Sequence, residues 1–223
     1  LDSHSTFRPN KWGPHEPARY RFDVKDTTKM EERWSKYTGF GLSQDKPKVD
    51  MMLVRRVNPT RTNWLAVYID VSYFQVDDNI NRFFVFASEL ATWGNVSHGY
   101  ACHELEFEQM NVMPRSTMIN NKLITTGGMD LRDCLPGVYW ANFFGPLYVD
   151  WFSRERFHNL PCYEQHALPN GGIVVLTAYS PLAYSGAEQF KSATRQHLGV
   201  DAFFDVNNPT RPCRSPYKDG VIN

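Results

Sequence analysis

The sequence has no long apolar run and no excess of charge of one sign, and each absence excludes a class of protein. No stretch approaches the roughly 20 apolar residues of a transmembrane helix, and residues 1–23 lack the apolar core of a signal peptide. A cytoplasmic protein without a membrane partner is therefore expected. The 24 basic residues balance the 24 acidic ones. This balance offers no electrostatic basis for sequence-independent nucleic-acid binding, which depends on an excess of Lys and Arg. No nucleic-acid partner is expected, and a local basic patch is the alternative left open.

Catalytic and phosphate-binding motifs are missing as well. The chain contains no GxGxxG turn, P-loop, GxSxG elbow, HExxH pair or kinase signature. The absence of every phosphate-cradling loop argues against a nucleotide-dependent enzyme, and no cofactor is expected.

The four cysteines are far apart and show no metal-binding pattern. They are Cys102, Cys134, Cys162 and Cys213, with no CxxC pair and no His at ligand spacing. We expect four free thiols. The alternative is two disulfides in an oxidising compartment.

What the chain does contain is ordinary globular composition enriched in aromatic side chains. Its 223 residues are 42% hydrophobic and 14% aromatic, which is enough for one substantial core. We expect a single α+β domain over residues 1–223. Proline-containing arms are predicted at residues 1–25 and 201–223, each held to the body by aromatic anchors.

The densest aromatic run lies between Pro136 and Pro161. Residues 138–144 are β-branched and aromatic, as in a strand buried on at least one face. Asn142 is the one polar residue of that strand, and its amide must find hydrogen-bond partners. We interpret it as a structural amide that ties the strand end to the turn.

A helix over residues 147–157 is predicted to follow this strand. Gly145 and Pro146 stop the strand, and proline is favoured in a first helical turn. The predicted buried side chains are Tyr148, Val149, Trp151 and Phe152. Asp150 and Arg154 are expected to form an exposed pair one turn apart.

The other elements alternate between hairpins and helices. Helices are predicted over residues 26–37, 77–93 and 185–198, strands over 51–57, 63–71, 98–107, 162–168 and 173–179, and a loop with a short strand over 112–135. The fold class is therefore α+β, a largely antiparallel sheet with helices packed on it. The element order also suggests two similar hairpin-plus-helix halves.

One group of residues could carry chemistry. If residues 98–107 form a strand, His98, Glu104 and Glu106 share a face. These residues are the candidate catalytic site of an alternative hypothesis, a metal-assisted hydrolase that uses a His/Glu strand face. Neighbouring same-face positions are about 7 Å apart, too wide for one ion unless another strand contributes. A solvated sheet face is therefore the favoured interpretation.

Three stretches resemble a broad class of bacterial proteins. These are KWGPHEPARYRFD at 11–23, LPGVYWANFFGPLYVDWFSRERFHNLPC at 135–162 and QHLGVDAFFD at 196–205. They are similar to poorly characterised proteins encoded beside polymorphic or contact-dependent toxins and presumed to be immunity proteins. The resemblance implies a cytoplasmic, non-enzymatic protein that binds and blocks a cognate toxin. It supplies no catalytic motif for any position of this chain.

The first hypothesis is accordingly that the chain is a non-enzymatic protein that binds a partner protein. Aromatic side chains are enriched at binding hot spots. The candidate partner-binding residues are Trp12, Glu16, Arg19, Tyr139, Trp140 and Asn142.

Overall fold

A computed structural model of the chain describes residues 6–14, 18–23, 28–56, 62–111 and 132–220. The chain forms two compact units, Leu1–Asn79 and Ile80–Asn223. The single domain expected over residues 1–223 stays a prediction. The helices and antiparallel sheets of the two units confirm the α+β class.

The first unit is built on a five-stranded antiparallel sheet. Its elements are β1 (Lys11–Gly13), β2 (Tyr20–Arg21), α1 (Thr28–Trp34), β3 (Gly39–Asp45), β4 (Lys48–Val54) and β5 (Trp64–Ile69), followed by a 3₁₀ turn at Val71–Gln75. The strand order is β2-β1-β3-β4-β5. The hairpin expected from residues 51–57 and 63–71 is present as β4 and β5, with Val54 opposite Trp64.

The first unit also shows where the sequence pattern fails. Residues 39–45, for which the sequence predicts neither a helix nor a strand, form strand β3, which pairs with β4 along its whole length. Glycine and polar residues are poor strand formers, but here the neighbouring strands β1 and β4 supply the pairing on both sides. The first two residues of the helix predicted over 26–37, Asp26 and Thr27, lie outside the described residues.

Aromatic stacking holds the amino-terminal segment to this sheet. The Trp12 ring is buried, with its centroid 5.0 Å from that of Tyr20 and 5.7 Å from that of Phe40. Trp34 of α1 lies 5.2 Å from Phe40 on the same cluster. The amino-terminal segment is therefore anchored by aromatic residues, as expected, and contributes two strands that the sequence does not reveal.

The second unit is built on a four-stranded antiparallel sheet with helices around it. Its elements are α2 (Asp77–Trp93, which begins in the first unit), β6 (His98–Ala101), α3 (Glu104–Asn111), β7 (Ala141–Phe144), α4 (Pro146–Phe152), α5 (Arg154–His158), β8 (Glu164–Ala167), β9 (Ile173–Leu176) and α6 (Glu188–Leu198). The strand order is β6-β7-β9-β8. The predicted hairpin over 162–179 is confirmed by β8 and β9. None of the helices in the described part of the chain combines the length and apolarity required to cross a membrane.

Strand β7 is buried at all four of its positions and is followed by a turn that only glycine fits. The strand is shorter than the predicted 138–144. A Cβ on Gly145 would overlap the carbonyl oxygen of Val96, and the Gly145 amide donates to the Ser97 carbonyl at 2.9 Å. Gly145 therefore allows the backbone after β7 to approach the 96–97 segment before α4 begins at Pro146.

The predicted helix over 147–157 is present as two helices. Ser153 adopts φ 76° and separates α4 from α5. Tyr148, Val149 and Phe152 are buried as expected. Asp150 and Arg154 form the expected exposed pair, with Arg154 Nε 3.9 Å from Asp150 Oδ1.

Trp151 is only half-buried, so the prediction that it is largely buried is wrong. Its ring packs on the core edge, while its indole N–H donates to Asp219 Oδ2 at 3.1 Å. The Arg214 guanidinium lies 5.4 Å from the indole ring. A polar partner at the surface therefore holds the tryptophan at the rim of the core.

The carboxyl-terminal arm is part of the second unit. The Leu135 amide donates to Ala202 O at 2.9 Å and the Phe204 amide to Leu135 O at 2.8 Å, and Phe203 is buried in the main core. A disulfide joins Cys134 to Cys213, with Cα atoms 5.4 Å apart. The expectation of four free thiols is wrong for this pair, whereas Cys102 and Cys162 are free.

Two further boundaries differ from the sequence prediction. The strand expected over 98–107 ends at Ala101, and helix α3 begins at Glu104. The final helix, predicted to begin at Ser185, begins at Glu188 with Ala187 at its N-cap position. It follows a 3₁₀ turn at Pro181–Gly186 that Ser180 caps. The predicted end of α6 at Gly199 is confirmed.

The packed face of α4 generates a stability prediction. The ring of Phe152 lies 6.1 Å from that of Phe144 in β7 and 6.2 Å from that of Phe157. Phe152→Ala should lower the free energy of unfolding by about 3–5 kcal/mol, because it removes buried apolar surface and leaves a cavity. Arg154→Ala, on the exposed side, should cost less than about 0.5 kcal/mol. Chemical denaturation compares the two; equal losses would mean that the opposite face of α4 carries the packing.

Candidate functional site

His98, the first residue of the sequence-predicted site, lies inside the second unit among aromatic rings. Its ring centroid is 5.4 Å from that of Phe144 and 5.8 Å from that of Tyr148. Neither ring nitrogen has a hydrogen-bond partner among the described residues. Burial lowers the pKa of His98 from 6.5 to about 3, because a charged imidazolium would lose its hydration there. His98 is thus a neutral core histidine at neutral pH.

Glu104 and Glu106 do not share a face with His98. Both carboxylates belong to α3, not to a continuation of β6, and Glu104 is exposed whereas Glu106 is buried. Across the described ranges, no three His, Cys, Asp or Glu side chains are arranged to hold a metal ion. The strand face required by the hydrolase hypothesis is therefore wrong.

Glu106 instead forms a buried ion pair that the sequence analysis missed. Its Oε1 lies 2.8 Å from Nζ of Lys191 in α6, and both side chains are almost fully buried. The same ammonium contacts Glu188 Oε1 and donates to the Tyr184 carbonyl, each at 3.0 Å. Burial raises the pKa of Glu106, although the nearby Lys191 opposes that shift. The ammonium thus contacts three oxygens, one from α3 and two from residues 184 and 188.

Cys102 lies in the same electrostatic environment. Burial raises the pKa of its thiol strongly, the Glu106 charge raises it further, and Lys191 acts in the opposite direction. A reactive cysteine requires the opposite, a lowered pKa that provides thiolate at neutral pH. The partly buried Cys102, beside the buried pair of Glu106 and Lys191, therefore lacks the electrostatics of a nucleophile.

A signal for Lys191 is present in the sequence. The helix predicted over 185–198 has an inner stripe of Ala187, Phe190, Thr194 and Leu198, all of which are buried except the partly buried Phe190. Lys191 lies four residues after Ala187 and three before Thr194, which places it on that same stripe. A lysine at such a position predicts a buried acidic partner. The Thr194 hydroxyl also finds a partner, the Pro161 carbonyl at 2.7 Å.

Asn142 is a structural amide, as the sequence analysis interprets it. Its Oδ1 accepts from the Tyr139 amide at 2.9 Å, and its Nδ2 donates to the Tyr139 carbonyl at 2.8 Å and to that of Val175 at 3.4 Å. Tyr139, Trp140 and Asn142 are all fully buried. The hypothesis that these three residues contact a partner is wrong for this conformation, because they have no surface to offer.

The three candidate residues of the amino-terminal segment have different positions. Trp12 is buried in the first unit, so it serves packing and not an open surface. Arg19 is exposed and remains a candidate. Glu16 lies outside the described residues.

The surface nevertheless carries large apolar side chains that the sequence analysis did not select. Among the described residues of the second unit the most exposed are Trp93 at 83% and Tyr179 at 63%, followed by Leu105 and Tyr163 at 50% each. Trp93 is the last residue of α2. Its position one residue before the helix-ending Gly94 could have suggested exposure, because the last turn of a helix often leaves the core.

Comparison with protein-family models, with curated proteins and with solved structures found no match for this chain. What can be said of its activity therefore comes from its own residues and from the resemblance stated above.

The environment of His98 predicts a pH dependence of stability. Its pKa is about 3 in the folded chain and about 6.5 when unfolded, so the unfolded chain binds the extra proton between these values. Stability from this residue is complete above about pH 6.5 and is lost as pH falls. The free energy of unfolding should decrease by about 2 kcal/mol from pH 8 to pH 5.

The variant His98→Leu isolates this contribution, because Glu106 and the other carboxyl groups titrate in both proteins. Between pH 8 and pH 5 the free energy of unfolding of the wild type should fall by about 2 kcal/mol more than that of the variant. An NMR titration in which the His98 ring takes up a proton near pH 6.5 would contradict the buried, neutral assignment.

Proposed function

We propose that this chain is a non-enzymatic binding protein of the immunity type, which binds and blocks a cognate bacterial toxin. The resemblance of three stretches to immunity proteins motivates the identity of the partner. Two observations support the non-enzymatic part. His98 and Glu106 are buried, and the partly buried Cys102 has a raised pKa that disfavours the thiolate.

The exposure of Trp93 is the observation that carries the binding part of the proposal. A tryptophan that is 83% exposed leaves a large apolar surface in water, and tryptophan is the residue type most enriched at binding hot spots. Val85 lies two helical turns earlier in α2 and is also exposed. The outer side of the end of α2 is thus the surface that we assign to the toxin.

The metal-assisted hydrolase is not favoured by any contact in the described structure. Glu104 is exposed to solvent whereas His98 is buried. The Glu106 carboxylate is already bound by Lys191. A ligand carboxylate would have to leave that ammonium, which would strand a buried positive charge.

A cytoplasmic location belongs to the same proposal. One structural feature counts against it, because the Cys134–Cys213 disulfide is of a kind that persists mainly in oxidising compartments. The thiol state of these two residues in protein isolated without reductant bears on the location independently of the partner.

The test uses the toxin that is encoded beside the gene of this protein. It asks whether the chain protects cells from that toxin and whether it binds it. Co-expression should rescue growth, and the two proteins should co-purify. Trp93→Ala should weaken binding by roughly 30-fold or more, about 2 kcal/mol. Its free energy of unfolding should change by less than about 0.5 kcal/mol, because the side chain is mostly exposed.

Tyr179→Ala is the matched control, since it removes another highly exposed aromatic ring from the same unit. It should leave binding unchanged. Failure of the wild-type chain to protect or to bind would reject the immunity function. Equal effects of the two substitutions would reject the assignment of the surface to α2.

A further inference from the structure

Strand β5 is an edge strand with an unusually apolar surface. It lies at the end of the five-stranded sheet and pairs with β4 alone among the described strands. Trp64 is 37% exposed, Leu65 43% and Tyr68 62%. These side chains belong to the first unit, whereas the Val85 and Trp93 surface assigned to the toxin belongs to the second unit, so the inference that follows rests on different residues from the proposed function.

The ladder with β4 determines which backbone groups of β5 are open. The Asp70 amide donates to the Lys48 carbonyl at 3.4 Å, and Lys48 and Asp70 continue the register in which Asp50 lies opposite Tyr68. Hydrogen-bonded positions alternate along an antiparallel pair. The N–H and C=O groups of Leu65, Val67 and Ile69 therefore point away from β4, toward the open edge.

Within the described residues, the β5 edge has none of the features that prevent an edge strand from pairing with a strand of another chain. Edge strands of monomeric proteins usually carry a lysine, a proline, a bulge or an inward-facing charge. The sequence of β5 is WLAVYI, without charge or proline, and its register with β4 continues without a bulge over six residues. A free edge of this composition favours pairing with another strand.

We propose that β5 pairs antiparallel with β5 of a second copy of this chain about a two-fold axis, which joins the two sheets into one of ten strands. The register is centred on Ala66. Leu65, whose backbone N–H and C=O point toward the open edge, then forms a hydrogen-bonded pair with Val67 of the second copy. Trp64 lies opposite Tyr68 of the second copy at a non-hydrogen-bonded position, where cross-strand side chains approach most closely.

The self-complementarity of this register supports a second copy as the occupant. Trp64, Ala66 and Tyr68 lie on one face of the sheet, and Leu65 and Val67 on the other, because side chains alternate along a strand. A two-fold axis perpendicular to the sheet keeps each face on its own side. Aromatic side chains therefore meet aromatic ones, and aliphatic side chains meet aliphatic ones.

The charges at the two ends of β5 are also complementary in this arrangement. Arg56 is exposed and lies beside the start of β5, where its amide donates to Asn63 Oδ1 at 2.8 Å. Asp70 is exposed at the other end and follows the strand directly. In this register Asp70 of one copy lies opposite Thr62 of the other copy, at the end of β5 that is next to Arg56. The two-fold axis produces the same arrangement at the other end of the strand pair. The chain as a whole has no net charge to oppose association.

Sedimentation equilibrium of the purified full chain tests the proposal. The wild type should have twice the monomer mass of 25.8 kDa. Tyr68→Lys places a charge at each aromatic pair and should weaken the dimer at least roughly tenfold. Tyr179→Lys, an equally exposed tyrosine in the second unit, is the matched control and should remain dimeric.

A second variant tests the register without charge. Ala66→Cys places two thiols across the axis, where Cα atoms should be about 4.5 Å apart, within the range of a disulfide. Mild oxidation should give a covalent dimer of this variant. Wild type controls for cross-linking through the free Cys102 and Cys162.

The results separate the occupants of the edge. A wild type that stays monomeric, or a dimer that Tyr68→Lys leaves intact in properly folded protein, would overturn the proposal. Loss of toxin binding in Tyr68→Lys together with a monomeric wild type would instead assign β5 to a strand of the toxin. If Tyr68→Lys does not fold, the oxidation of Ala66→Cys decides, and its failure to cross-link rejects this register.

Discussion

The interior of the second unit depends on one buried ion pair, Glu106 with Lys191. The pair joins α3 to α6 across 2.8 Å and is almost completely removed from water. Two buried charges lose their hydration, and only their mutual attraction and further hydrogen bonds offset that cost. The Tyr184 carbonyl and Glu188 provide these additional contacts for the ammonium. Neither residue can be lost alone without leaving an uncompensated charge in the core.

The same requirement explains the other polar residues of this interior. Asn142 is surrounded by fully buried residues, and its amide is matched by the backbone of Tyr139 and Val175. Thr194 donates to a carbonyl of a neighbouring segment, and His98 avoids the cost of charge by remaining neutral. These are the polar groups that a search for an active site would select. Because they are buried in the interior of the fold, we expect the function at the surface.

Local sequence patterns were sufficient for much of this fold and for little of its surface. Both hairpins and α2 were predicted because apolar periodicity and turn residues act locally, and Asn142 was recognised because a lone amide in an apolar strand must be satisfied. Strand β3 was missed because its glycines and polar residues form a strand only through pairing with β1 and β4. The 98–107 strand was wrong because alternation over so short a stretch also fits a strand followed by a helix. For pairings between distant segments, such as Glu106 with Lys191 and Cys134 with Cys213, local sequence does not identify the partner, even where it indicates, as at Lys191, that one is needed.

The central claim is that the buried polar group of Glu106 and Lys191 serves the fold and not a reaction, and a double-mutant comparison tests it most directly. Lys191→Met and Glu106→Leu should each lower the free energy of unfolding by about 3–5 kcal/mol, whereas the double variant should lie within about 1 kcal/mol of the wild type. Partner binding should be retained in the double variant. A double variant that is as unstable as the sum of the single ones would contradict the account, as would one that is fully stable but has lost all function.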